Sequence, residues 1–309
     1  MVWSSHKATL IFFSGMLHGI SVGERYAQRN NGAVLRRIAK IDVAVHGTRA
    51  VSDYRDLLGA VDAVTVAVPT EIHRDVALPF LKAGVAVLVE KPMARSLVEA
   101  DEMIEAAADA GVVLAVGQTE RFNPALAAAR PLVTDPRFIE VHRLGTFPER
   151  SLDIDVVFDL MIHDLDVVLS LVNSDVESVE AVGVPVVTNR VDICNARLRF
   201  GNGCIVNLTA SRISRDRVRK IRFFQPATYV SIDYATQKVE VYRLVKGSGP
   251  TPSIEGGEIE VVTEEPLKLE LIDFADAVVT KRAPRVTGEA GRRALAVAQA
   301  ITDKMEAGT

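Results

Sequence analysis

Three apolar runs govern what this chain can fold into: "VDAVTVAVP" (Val61–Pro69), "VAVLVEKP" (Val85–Pro92) and "VVLAVGQ" (Val112–Gln118). Strands this uniformly apolar suit a parallel sheet covered on both faces. The segments between them have helical periodicity. Thr70 opens a helix that runs to Lys82 and is closed by Gly84. "SLVE" (Ser96–Glu99) is a capping box for a helix running to Ala110, with Gly111 as its stop. Upstream, "TRAV" (Thr48–Val51) reads as a short strand, and Ser52 caps the helix "DYRDLLG". Strands alternating with amphipathic helices form βαβ units, hence an α/β fold with a parallel sheet. In such sheets ligands collect outside the carboxyl ends of the strands. Those ends are Pro69 and Thr70, then Glu90, Lys91 and Pro92, then Gln118 to Arg121. Core packing does not select a strand that closes on Glu-Lys.

After about Asn123 the pattern changes. A helical section over Pro124–Val133 leads to a strand, "FIEVHRLG", and a helix over roughly Val156–Val172. Long strands without intervening helices follow: Glu177–Val186, Val191–Phe200, Cys204–Ile213, Lys220–Tyr234, Lys238–Leu244 and Glu258–Glu264. This is the pattern of an α+β domain with an antiparallel sheet. Lys246–Gly257 reads as a flexible loop, and helices near Leu267–Lys281 and Gly288–Lys304 end the chain. The expected division is 1–120 and 121–309, with the last helix able to return to the first domain.

A net charge of −4 speaks against a nucleic-acid partner, which calls for a basic stripe. The arginines around Ser211–Arg222 are the one basic cluster, fit for a strand face in solvent or for sugar phosphate. Ala8–Ile20 is too short to span a bilayer and carries Ser14 and His18, so no membrane partner is expected. Cys194 and Cys204 flank a hairpin turn at "FGNGC" in a register that keeps their sulfurs apart. Two unpaired thiols point to a reducing compartment, and the cytoplasm is the default.

The segment "DVVFDLMIHDLDVVLSLV" concentrates the candidate chemistry. On a helix Asp159 and His163 are four apart and share a face, with Asp155 and Asp166 near it. A histidine beside carboxylates is poised as a general acid/base near neutral pH. The same types could ligate a metal, but no second histidine stands at ligand spacing, and no metal is expected. An isolated histidine on such a helix would more often be structural.

The chain resembles the Gfo/Idh/MocA family, the relatives of glucose–fructose oxidoreductase and inositol dehydrogenase. The resemblance rests on "AVPTEIHRDVALPFLKAGVAVLVEKPMA", on "DLMIHDLD" and on "RAPRVTGEAGRRALAVAQAI". It runs from Gly47 to about Glu306. It implies an N-terminal Rossmann-like dinucleotide-binding domain and a C-terminal domain with an open-faced antiparallel sheet. It also implies NAD or NADP as cofactor (NAD favoured) and hydride transfer to or from a sugar hydroxyl. "GQTERFNPAL" and "PRFIEVHRLG" look most like the branch that oxidises UDP-N-acetylhexosamines at the sugar 3-hydroxyl. A nucleotide-sugar substrate and a homodimer or homotetramer formed through the C-terminal sheet follow from that likeness.

By the same resemblance Lys91 polarises the reacting oxygen, an electrostatic role. His163 takes the hydroxyl proton, and Asp159 orients His163 or binds a substrate hydroxyl. Pro69, Thr70 and His73 match the cofactor-side loop, and Glu90 lies near the nicotinamide ribose. Arg121 and Asn123 face the nicotinamide edge and the sugar or its phosphates. Read without the family, Glu90 and Arg121 form a buried ion pair, His73 is a helix-surface residue, and Asn123 is a turn-former before Pro124.

Residues 1–46 depart from the family pattern. A glycine fingerprint lets the backbone turn tightly against a pyrophosphate. "IFFSGMLHGISVGERYA" offers only Gly15, Gly19 and Gly23, at intervals of four. Asp42 stands near the distance of a ribose-binding acid, but at the start of its apolar run instead of the end. Three readings follow: a frame or start altered upstream of Gly47, a divergent but working loop, or a domain that no longer binds dinucleotide. The last would make the chain a non-catalytic sugar-nucleotide-binding protein on the same scaffold.

Overall fold

The computed structural model describes residues 53–147, 154–245 and 252–307. The expectations for residues 1–46, for the strand Thr48–Val51 and for a Ser52 cap lie outside the described residues. The chain divides into two compact units. One comprises residues up to Gly117 with Asp273–Gly288, and the other Gln118–Ile272 with Glu289–Thr309.

In the first unit the three apolar runs become a parallel sheet, β1 (Ala63–Val66), β2 (Ala86–Glu90) and β3 (Leu114–Gly117), in that order. Helices α1 (His73–Lys82) and α2 (Leu97–Ala110) make the crossovers. Val87, Leu88 and Val89 are fully enclosed, as a doubly covered central strand requires. The α2 termini are those read from sequence. Ser96 Oγ accepts from the Glu99 amide at 3.2 Å, and Gly111 takes the left-handed cap at φ 65°. The α1 start differs. Thr70–Ile72 is a short 3-10 turn, and no side chain caps α1. The next turn upstream, Tyr54–Leu57, is capped by Asp53.

The second unit is an eight-stranded sheet in the order β11-β10-β9-β8-β4-β7-β6-β5. Its strands are β4 (Phe138–Leu144), β5 (Val176–Val184), β6 (Ile193–Phe200), β7 (Ile205–Ser211), β8 (Val218–Gln225), β9 (Thr228–Asp233), β10 (Lys238–Val245) and β11 (Ser253–Ile259). The expected strand Lys220–Tyr234 is a hairpin, turned at Pro226 and Ala227, where Ala227 has φ 55°. The sheet is mixed instead of purely antiparallel, because β4 runs parallel to β7. The helix and hairpins between them supply the long crossover that a parallel pair needs.

The glycine-rich stretch read as loop contains β11, while the residues after Ile259, expected as strand, are irregular. Glycine is required at Gly256, φ 145°, because a Cβ there would collide with the Val241 carbonyl.

Alternate residues of each central strand face a single core. Ile139 and Val141 join Ala196, Leu198, Val206, Leu208, Ile221 and Phe223 there. Helices α3 (Pro124–Ala129) and α4 (Ile162–Leu171) cover this face. The terminal helices are α5 (Pro266–Thr280) and α6 (Gly288–Ala307). Ala294, Ala298 and Ile301 of α6 belong to the same core. The helix expected over Val156–Val172 is continuous but not uniform. Val157–Met161 forms a π-helical turn ahead of α4, an irregularity frequent at functional sites.

Candidate active site

Within the first unit, the ends of β1 and β2 carry the candidates. Lys91 directly follows β2 and is only 6% exposed. A lysine is almost never this deeply buried without a partner. Glu90 lies across Gly117, its register partner on β3. A Cβ at Gly117 would stand 2.9 Å from Glu90 Oε2, so the glycine is what lets that carboxylate lie flat over the neighbouring strand. Burial pushes the Glu90 carboxyl above its usual range, and the Lys91 charge pulls it back.

His73 opens α1 and is buried, not a surface residue. Its Nε2 lies 2.8 Å from the Val68 carbonyl and its Nδ1 3.0 Å from the Pro92 carbonyl. The imidazole therefore sits between the loop after β1, which contains Pro69 and Thr70, and the residues after β2. Burial lowers the His73 pKa, with the carbonyls acting in the opposite sense.

Within the second unit, the turn Thr119–Phe122 and the start of α4 are joined by buried charge. Arg121 donates through Nη1 to Asp166 Oδ1 and Oδ2 at 3.2 and 3.4 Å. Asp166 is thus a buried carboxylate partner of Arg121. Burial raises the Asp166 carboxyl to about 6 against the pull of Arg121. Asn123 caps α3, its Oδ1 accepting from the Ala125 amide at 3.0 Å. Its Nδ2 donates to the Tyr234 carbonyl at 3.1 Å and to Glu120 at 3.4 Å.

Asp159 sits in the π turn, and His163 follows in the first turn of α4. Both are part-exposed, while the Nδ1 atom of His163 is shielded from solvent. Asp155 anchors the start of this segment by accepting from the Val191 amide at 2.9 Å.

Sequence reasoning missed a second buried group. Arg143 donates to Asp164 through Nε at 2.6 Å and Nη2 at 2.9 Å, and to Glu120 through Nη1 at 3.1 Å. Its guanidinium also lies over the Tyr234 ring, 5.8 Å from the centroid. Burial opposes the Arg143 charge, and Asp164 and Glu120 outweigh it, holding the guanidinium firmly protonated. The available signal was the alternation of "FIEVHRL", which puts Arg143 on the same face as Ile139 and Val141. Gln118 was also passed over. Its side-chain amide is buried, and neither its nitrogen nor its oxygen has a hydrogen-bond partner among the described residues. Such a group requires an explanation. No cluster of three or more metal-ligand side chains occurs among the described residues.

Residues 28–118 match the model of the oxidoreductase family with an NAD-binding Rossmann fold, and residues 135–229 match the GFO/IDH/MocA C-terminal domain. The UDP-N-acetylglucosamine 3-dehydrogenase of Acidithiobacillus ferrooxidans is 39% identical over 84% of this chain and 83% of its own. The chain belongs to the Gfo/Idh/MocA family. A solved structure of that same dehydrogenase, GnnA, superposes with a TM-score of 0.86 at 34% identity, covering 98% of this chain and 99% of the other. Levoglucosan dehydrogenase in complex with NADH and L-sorbose, 18% identical, shares the fold with a TM-score of 0.78 over 88% of this chain and 85% of its own.

As a Gfo/Idh/MocA member the chain is an NAD(P)-dependent oxidoreductase of the sugar-dehydrogenase kind. The family model begins at residue 28, upstream of Gly47, where the resemblance read from motifs starts.

Proposed function

We propose that this chain oxidises the 3-hydroxyl of a UDP-N-acetylhexosamine, with NAD as the preferred cofactor. The observation that carries the reading is Lys91, a buried cation at the carboxyl end of a parallel strand. Its charge stabilises the alkoxide that develops as the hydroxyl loses its proton. His163 accepts that proton as general base, and Asp159, four residues earlier, orients it or holds a substrate hydroxyl. Bound NAD(P) supplies the hydride acceptor. The 39% identical relative, itself a UDP-N-acetylglucosamine 3-dehydrogenase, supports this substrate class.

The described residues fit the nicotinamide half of such a cofactor. Gln118 presents a buried donor and acceptor with no partner among the described residues, complementary to a carboxamide. Pro69 and Thr70 supply a strand-end loop of the first unit, and Glu90 would hold ribose hydroxyls. Arg121 and Asn123, proposed for the nicotinamide edge and the sugar, have part of their hydrogen-bonding capacity already engaged. Two buried free thiols fit a reducing compartment, and the cytoplasm completes the reading.

The test is absorbance at the reduced-nicotinamide band with a panel of UDP-sugars. It is run on this chain and on a version with a G-x-G-x-x-G loop restored before residue 47. Turnover with UDP-N-acetylhexosamines and not with unsubstituted UDP-hexoses is the expected result. Lys91→Ala and His163→Ala should each lower turnover at least about tenfold. Near-normal turnover in either removes that residue from the assignment. The missing glycine loop favours one rival, a non-catalytic sugar-nucleotide binder. Tight UDP-sugar binding with no reduction in either protein would establish that rival.

A further inference from the structure

The two buried ion pairs converge on the turn of α4 that carries His163. Asp164 follows His163 by one position and Asp166 by three. At 3.6 residues per turn, their carboxylates stand about 100° to one side of the imidazole and about 60° to the other. Arg143 from β4 grips the first in a bidentate fork, and Arg121 grips the second. Glu120, next to Arg121 in the chain, accepts from Arg143 as well. One short turn and one strand thus hold the helix on both flanks of His163.

The segment before it has a reason to need such hold. In the π turn Val157–Met161 the backbone bonds span an extra residue, so helical phase changes immediately upstream of His163. Rotation of α4 about its axis would swing the imidazole sideways. Any such rotation stretches one ion pair or the other. Buried ion pairs add little net stability over apolar side chains of similar volume, and their best-attested use is to fix register.

We propose that Arg121 and Arg143 are positioning residues: through Asp166 and Asp164 they set the rotation of α4 and hence the reach of His163. This rests on the reading of His163 as the proton acceptor. It gives Arg121 a task other than contact with cofactor or substrate.

The test replaces each pair by groups of like shape, Arg121→Met with Asp166→Leu, and Arg143→Gln with Asp164→Asn. Each double variant should keep a cooperative thermal transition while kcat falls about tenfold or more, and in the Arg143–Asp164 variant, which touches no group proposed to bind substrate, KM should stay within about twofold, the signature of misplacement at the reacting centre. Placed on a His163→Ala background, the same replacements should lower kcat no further. A readout independent of turnover is the imidazole proton resonance of His163, identified by its loss in His163→Ala. It should move in both double variants, and Arg143→Lys should restore it only in part, because lysine lacks the fork.

An unmoved resonance with unchanged kcat makes the pairs purely structural and overturns the proposal. Normal turnover in His163→Ala overturns the proton-acceptor reading instead. In that case a displaced resonance still upholds the positioning geometry. A chain without measurable turnover is decided by the resonance alone.

Discussion

Asp166 is the residue whose charge state reports most directly on this architecture. Its folded carboxyl titrates near 6 because of burial, whereas the unfolded carboxyl titrates near 3.9. The folded state therefore holds the proton more tightly. The associated stabilisation is complete below the unfolded value and is lost as pH rises through 6, by about 3 kcal/mol at most. Asp166→Asn cannot ionise, so relative to the parent it should gain stability between pH 4 and pH 7. Urea unfolding across that range measures it, and parallel stability curves for the two proteins would refute the assignment.

His73 has the opposite sign, since burial lowers its pKa and its stabilisation is lost as pH falls below about 6.5. His73→Ala removes the one N–H that the neutral imidazole offers to these carbonyls and should cost about 1–3 kcal/mol in the same assay. Lys91, Asp159 and His163 are proposed from strand-end position, helical spacing and family resemblance, and the structure puts Lys91 buried just after β2, Asp159 in the π turn and His163 in the first turn of α4. Asp164, Arg143 and Gln118 were not legible in the sequence. Their roles depend on which residue a strand places opposite a helix, and that pairing is long-range.

At the level of elements, local signals were read correctly where local physics decides. The Ser96 cap and the Gly111 stop of α2 are examples, and Ser96→Ala should cost about 1 kcal/mol in urea unfolding. Strand β11 is the counter-example. Its Glu255-Gly256-Gly257 core reads as loop because glycine is depleted in strands. In the fold Gly256 sits against Val241 and Tyr242 of β10, where a side chain cannot enter. Gly256→Val should detach β11, seen as faster amide exchange over Val239–Val245 with little change in β4 or β7. Unchanged exchange would mean that β10 does not depend on this partner. The mixed character of the sheet was likewise invisible to periodicity, which is the same for parallel and antiparallel strands.

For the whole molecule, the large sheet has one enclosed face and one open face. Across the open face Phe138, Phe224, Tyr229 and Tyr242 form a ladder with ring centroids 5.2–6.2 Å apart. Phe224 and Tyr242 are exposed, as are Val182 and Val184 farther along the sheet. Apolar surface of this extent is what association covers, and the proposed homo-oligomer would use it. Sedimentation velocity should show a dimer or tetramer that Phe224→Glu with Tyr242→Glu converts to monomer. A monomeric parent protein would dispose of this idea. No described helix is long and apolar enough to cross a membrane.

The parallel pairing of β4 with β7 also bears on how the chain is made. β4 is synthesised first among the eight strands, yet both of its neighbours, β7 and β8, emerge only after β5 and β6. Contacts this distant in sequence slow folding, and an unpaired strand edge is prone to aggregation while it waits. During translation, the backbone of β4 therefore has no strand partner until β7 has emerged, and lacks its second until β8 follows.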